Sequence, residues 1–259
     1  MMNTQNLDYL KSNLKYFGFG ERLNESLESE IKAQKNEFKL TCEIPHFNNK
    51  MNFTLHFKKS GSSDMYFFNK YDAVLTNGKP ELDKEQVFYI NKGIGITAKE
   101  AFNLLEGRSV KKELIGKDGE KYEAWIKVDF NSPDEKSGFK LQQFSEKYGY
   151  NLEKAISNYP IKELSDPEQK RNLLSSLEKG NLQQVVIDKD NKETKFYIEA
   201  VPQYKNINIY DSKQRSVKRQ NVEKDNNDVV LKEEKALKQA SKDLGEPKQS
   251  NSRKKKMSL

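Results

Sequence analysis

Apolar positions along the first 211 residues switch repeatedly between a helical period and a period of two. Leu23, Leu27 and Ile31 recur at helical spacing and fall on one face. The runs Phe38–Ile44, Met51–Phe57 and Asp64–Leu75 that follow read as three strands separated by turn residues. The stretch Thr97–Phe130 has the same order. Thr97 and Glu100 stand at capping-box spacing, Leu104 and Leu105 continue the helix, and Gly107 stops it. A strand follows, then the turn sequence Gly116-Lys117-Asp118-Gly119 and the alternating run Lys121–Phe130.

Ser165–Val201 repeats this order. Ser165 and Glu168 have capping-box spacing, Pro167 suits the first turn, Leu173 and Leu174 form the apolar pair, and Gly180 is the stop. The turn Asp190-Asn191 joins two strand-like runs. Phe139–Phe144 and Lys205–Asp211 supply a third strand to each stretch, and residues 145–164 provide a connecting helix that ends before Pro160. The pattern predicts an α+β protein of repeated units, each a helix followed by an antiparallel three-stranded meander. Its divisions are an N-terminal unit over residues 1–90, a second over 91–150, and a third with the connecting helix over 151–211.

Composition changes the picture at the C-terminus. Residues 212–259 contain no Phe, Tyr or Trp, and hold 14 Lys and Arg against 7 Asp and Glu. The net charge of +7 therefore lies wholly in this segment, and the rest of the chain is neutral. Such a segment buries too little surface to offset chain entropy, so it is expected to be a disordered basic tail. Within it, Asp228–Leu244 could form a short helix closed by Gly245 and Pro247. No run is long and apolar enough for a membrane span, and the first residues lack the pattern of a signal peptide. The lone Cys42 excludes an intrachain disulfide framework and suits a reducing, cytoplasmic setting.

Candidate chemistry is sparse. Gly93 and Gly95 follow a strand-like run and precede a helix, the order of a phosphate loop, but Ser165–Glu168 begins its helix without glycine. Helix capping explains both helix starts, so no cofactor is expected. Cys42, His46 and His56 are too few for a structural zinc site, and two histidines give nucleophilic catalysis little to work with. Phe67, Phe68, Tyr71, Tyr122, Trp125, Tyr204 and Tyr210 sit in strand-like runs near Lys and Arg. Exposed, they would make a stacking platform for single-stranded nucleic acid; covered, they fill a core. The candidate nucleic-acid-binding residues are Tyr122, Trp125, Tyr204 and Tyr210, with Arg253, Lys254, Lys255 and Lys256 of the tail as phosphate contacts.

The stretches "INKGIGITAKEAFNLLEGRSVKKEL", "YEAWIKVDF", "YGYNLEKAISNYPIKEL" and "SLEKGNLQQVVI" carry a resemblance, together with "FGFGERLNESLE" and "SDMYFFNKYDAVL". From about Leu7 to Asp211 the chain resembles domains of unknown function that recur in proteins of Bacteroidetes mobile elements and conjugative transposons. The resemblance implies a genomic setting with DNA as a neighbour, and no catalytic residues. The resulting expectation is a non-enzymatic accessory protein of a mobile genetic element. It would bind DNA or RNA weakly, with little sequence preference, through the basic tail. The alternative is a protein–protein interaction or scaffolding module that docks other mobile-element proteins of the transfer machinery, with an uncharacterised enzyme third. Neither a metal nor a membrane is expected as a partner.

Overall fold

The computed structural model describes residues 3–46, 49–91, 94–116, 118–189 and 192–224. Helix α1 (Thr4–Tyr16) opens on Asn3, whose side chain accepts the Asn6 N–H, and buries Leu7, Leu10 and Leu14 as one stripe. Helix α2 (Asn24–Lys32) buries Leu27 and Ile31. Strands β1 (Glu37–His46), β2 (Asn49–Lys59), β3 (Tyr66–Thr76) and β4 (Lys84–Tyr89) then form an antiparallel sheet in chain order. Helix α3 (Ala98–Leu105) leads into β5 (Val110–Ile115), β6 (Lys121–Asp134) and β7 (Gly138–Ser145), a second antiparallel sheet. Helices α4 (Leu152–Ser157) and α5 (Pro167–Glu178) precede β8 (Gln183–Lys189), β9 (Lys192–Val201) and β10 (Asn206–Tyr210), a third. The chain is thus α+β with three separate antiparallel sheets.

Several expectations need correction. The first sheet has four strands, because Lys84–Tyr89 pairs with β3. Helix α1 lies in a stretch that the helix-and-strand pattern above leaves unassigned. The capping box at Thr97 and Glu100 is present, whereas Ser165 does not cap α5. Asp166 does so, accepting the Gln169 N–H at 2.7 Å, while the Ser165 hydroxyl donates to Lys162 O. A carboxylate one residue nearer to Pro167 reaches the open amides more directly. The tail does not begin at 212. The Val217 N–H donates to Ile209 O, Arg219 Nε to Ile207 O and the Lys224 N–H to Asn158 O, and Val222 is buried. Two valines and one arginine thus anchor residues 212–224 on the third sheet despite their polar composition. The expected helix at Asp228–Leu244 lies outside the described residues.

Two cores hold the chain, and their boundary does not follow the expected units. The first joins α1, α2 and α3 to the inner face of the first sheet and also takes Val110, Ile126 and Val128 from the second. Aromatic rings fill its centre: Phe19 packs edge-on against Phe53 and Tyr71 at centroid distances of 5.2 and 5.3 Å. The second core joins α4, α5 and the third sheet to Trp125 and Phe144. Strand β6 therefore feeds both cores, since Trp125 and Ile126 point to opposite faces.

Polar groups pin the packing at defined points. Asn6 closes a two-point bond with the Tyr66 backbone, its Nδ2 donating to Tyr66 O and its Oδ1 accepting the Tyr66 N–H. The Tyr71 hydroxyl donates to Ile96 O at 2.5 Å, tying β3 to the start of α3. Helices α3 and α5 end alike. Gly107 and Gly180 adopt left-handed conformations, and the next residues, Arg108 and Asn181, donate back to Asn103 O and Ser176 O. These ends meet: Asn103 Nδ2 donates to Lys179 O and Arg108 Nε to Gly180 O. Carbonyls left open at the end of α5 are thereby satisfied from α3, with a cation where the helix dipole favours one.

A methyl group at Gly180 would lie 2.8 Å from Ser109 O and 2.9 Å from Val110 Cγ2, at φ +76°. Gly180→Ala should therefore cost at least about 2 kcal/mol in denaturant unfolding, from left-handed strain and overpacking together. Two buried tyrosines make a sharper comparison. Tyr71→Phe loses its bond to Ile96 O and should destabilise by about 1–2 kcal/mol, whereas the Tyr66 hydroxyl has no partner among the described residues. Tyr66→Phe should accordingly be neutral or stabilising in the same measurement.

Candidate nucleic-acid interface

The helices of the first core cover one face of the β1–β4 sheet, so alternate residues of each strand face away from it. A bulge keeps this pattern in phase. Phe57 pairs with Phe68 but His56 pairs with Lys70, leaving Asn69 as the extra residue. The shift allows Tyr66 and Phe68 on one side of the bulge, and Tyr71, Ala73 and Leu75 on the other, all to be buried. Lys70 and Asp72 are turned outward as a consequence.

The outer face carries a row that crosses the whole sheet. Lys39 pairs with His56, His56 with Lys70, and Lys70 with Tyr89. At an interstrand spacing near 4.8 Å the row spans about 14 Å. Lys58 and Phe67 are partners in a neighbouring row. Tyr89 is 54% exposed and Phe67 47%. A depression of about 290 Å³ lies among Lys39, His56, Lys58 and Lys70.

Charge on this face is mostly paired. Lys58 bridges Glu37 at 2.6 Å, Lys50 bridges Glu43 at 3.2 Å, and His56 Nε2 lies 2.6 Å from Asp72 Oδ2. Among the described residues, Lys39 and Lys70 have no anionic partner, and Glu85 near the start of β4 has no cationic one. The two free ammonium groups flank His56 in the central row.

Beyond the β4 edge lies a cleft of about 540 Å³ against the second sheet. Phe88, Ile96, Ile126, Phe139 and Leu141 give it an apolar lining, and Tyr89 stands on its lining as well as at the end of the row. The Val87 N–H donates to Ser137 O, and the Gln86 side chain exchanges two hydrogen bonds with the Phe139 backbone. Gly138 makes this approach feasible, since a Cβ there would sit 2.4 Å from Glu85 O. A second groove, of about 480 Å³, lies over Trp125, Phe144 and Tyr150 and is lined by Glu123, Glu146, Glu153 and Glu178, with Lys111 the one cation.

Sequence-selected aromatics are not brought together. Trp125 is 5% exposed and packs edge-on against Tyr150 in the second core, so it is no stacking surface. Tyr122 lies on the opposite face of β6, its hydroxyl donating to Gln143 Oε1 at 2.9 Å. Tyr210 is half-buried and donates to Glu199 Oε1 at 2.7 Å; burial, then the Glu199 carboxylate, pushes its phenol up to about 12. Tyr204 is exposed, in the turn before β10. Phe68 and Tyr71 are core residues. Arg253, Lys254, Lys255 and Lys256 lie outside the described residues.

Other candidate chemistry resolves geometrically. Cys42 packs on the first core, where burial raises its thiol pKa, whereas His56 faces outward. His46 stacks on Phe102 at 4.2 Å, and burial lowers its pKa. Among the described residues no group of three His, Cys, Asp or Glu could hold a metal ion. The spacing of Gly93, Gly95 and Ala98 matches a dinucleotide-loop variant that ends in alanine. At the α3 N-terminus, however, the Thr97 N–H donates to Glu100 Oε2, the Ala98 N–H to Phe17 O and the Glu100 N–H to Thr97 Oγ1. Lys112 pairs with the Glu100 carboxylate there, so these three amides of the helix start are already bonded within the chain. Gly95 serves packing, since a Cβ would lie 3.1 Å from both the Phe17 ring and Tyr89 O. No helix among the described residues is long and apolar enough to cross a membrane.

Comparison with known proteins finds no match among family models, curated proteins or solved structures.

Trp125 is the sole tryptophan, so fluorescence reports on it alone. Its emission should be blue-shifted and weakly quenched by acrylamide, and should change little when a single-stranded oligonucleotide saturates the protein. A large quench on oligonucleotide binding would place the contact at Trp125 instead.

Proposed function

We propose that the protein is a non-enzymatic nucleic-acid-binding accessory protein that binds through the outer face of the β1–β4 sheet, with the basic C-terminal segment adding phosphate contacts. The observation that carries this reading is the row Lys39–His56–Lys70–Tyr89, in which two lysines without an ion-pair partner among the described residues alternate with flat rings. Phosphates are drawn to the ammonium groups, and Tyr89 and Phe67 offer π-faces that accept any base. Two such lysines neutralise about two phosphates, which corresponds to the weak, non-specific class with Kd of about 10⁻⁴–10⁻⁶ M. The resemblance to mobile-element domains supports DNA as the natural neighbour and a cytoplasmic setting.

The same reading treats the three helix-plus-meander segments as copies of one unit, supported by the matching glycine turns that end α3 and α5. The first copy, whose outer face no described helix covers, has taken on the binding role. Protein–protein docking of other mobile-element proteins is the second reading, favoured by Ile115 and Leu141, which are exposed at the cleft.

The test is fluorescence anisotropy with a labelled single-stranded oligonucleotide over a range of salt concentrations. The double charge reversal Lys39→Glu/Lys70→Glu should weaken binding at least about 10-fold and lower the log–log salt slope by about 1.4. Deleting residues 225–259 should lower the slope further. Unchanged binding by the double variant would remove the sheet face from the interaction.

A further inference from the structure

We infer that the cleft beyond β4 receives one unpaired base of a single-stranded nucleic acid laid along the Lys39–Tyr89 row. The inference rests on the reading of the outer face as a nucleic-acid surface and assigns its ligand class: single strands, with one base read.

The row and the cleft are continuous. Lys39, His56, Lys70 and Tyr89 are lateral partners across β1, β2, β3 and β4, so the row ends at the β4 edge. The cleft begins at that edge and includes Tyr89 in its lining. A chain whose phosphates follow Lys39 and Lys70 is delivered to the cleft mouth.

The lining of the cleft suits a base. A base removed from a stack needs flat apolar contact and hydrogen-bond partners for its polar edge. Ile126, Phe139 and Leu141 supply the apolar walls. The Tyr122 hydroxyl binds Gln143 Oε1, which fixes that amide with Nε2 as the remaining donor. Gln143 lines the cleft, and so does Asn91, whose side-chain amide has no partner among the described residues. Together they offer donors and an acceptor of the kind a base edge takes up.

Charge at the cleft is mostly paired. The carboxylates at the cleft are already engaged, Glu113 by Lys121 and Asp134 by Ser137 and the Lys136 N–H. Of the cleft's two lysines, Lys112 is paired with Glu100, and Lys140 stands on the lining without an ion-pair partner among the described residues, as Lys39 and Lys70 do on the row. A duplex cannot present a base in this way without unpairing, so single strands are selected.

The experiment compares wild type with Leu141→Trp, which fills the cleft from a partly exposed position, and with Lys39→Glu/Lys70→Glu. Each is titrated by anisotropy with labelled homo-oligonucleotides of different bases and with a duplex, after matched thermal melts confirm folding. Wild type should prefer single strands to duplex and discriminate among homo-oligomers by at least about 5-fold. Leu141→Trp should lose about 5- to 100-fold in affinity together with the discrimination, at an unchanged salt slope. If wild type shows salt-dependent binding and Leu141→Trp retains both affinity and discrimination, the cleft inference is overturned while the sheet-face reading stands. Equal binding of duplex and single strand also overturns it. Absence of salt-dependent binding by wild type overturns the sheet-face reading, and the assignment of a base with it.

Discussion

Strand β6 decides how the surfaces of this protein are allotted. Its residues alternate between two cores, with Trp125 buried among α4, α5 and the third sheet, and Ile126 and Val128 buried against the first sheet and its helices. The second sheet gives residues to a core on each of its faces, while Ile115, Tyr122 and Leu141 stay exposed. A chain with only 34% hydrophobic residues has little apolar surface left to cover the remaining sheets twice. The first sheet is accordingly buried on one side by α1, α2 and α3, and no described helix covers the other. The third sheet's β10 edge is taken up by residues 212–224, whose Val217 and Val222 pack on the second core, and its far face carries the network of Glu199, Asn208, Tyr210 and Arg219. The broad outer face of β1–β4 is what this allotment leaves for contact with another molecule.

The electrostatics of that face show why a chain-wide charge balance misleads. The first 211 residues are neutral in sum, yet neutrality conceals an uneven arrangement. Carboxylates gather around the groove over Trp125, while Lys39 and Lys70 have no ion-pair partner among the described residues on the outer face of the first sheet. Exposed ion pairs such as Lys58–Glu37 contribute about 0–1 kcal/mol each and are screened by salt. Their main effect here is to cancel charge locally, which leaves Lys39 and Lys70 as the ammonium groups of the central row without an ion-pair partner among the described residues.

The sequence shows some of this architecture and hides the rest, for physical reasons. The Thr97–Glu100 cap and the Gly107 and Gly180 stops were readable because capping depends on residues within one turn. The Asp166 cap was displaced by one position because Ser165 and Asp166 are chemically interchangeable in that role. Helix α1 goes unassigned although Leu7, Leu10 and Leu14 are spaced for one face, because polar residues fill the positions between them. The row of Lys39, His56, Lys70 and Tyr89 was not legible. It depends on strand register, and on the bulge at Asn69 that moves every later residue of β3 to the other face. Likewise, burial separated Trp125 from Phe67, two aromatics that look alike along the chain.

Whether nucleic acid binds at the outer face of the first sheet is tested most directly by amide chemical-shift mapping. The isotope-labelled full chain is titrated with a single-stranded oligonucleotide at low salt. Perturbations should concentrate at Lys39, His56, Lys70 and Tyr89 and extend to Gln143, with the amides of Val185 and Ile198 in the second core unmoved. Perturbations confined to the groove over Trp125 or to residues beyond 224, with the β1–β4 face silent, would contradict binding at this sheet.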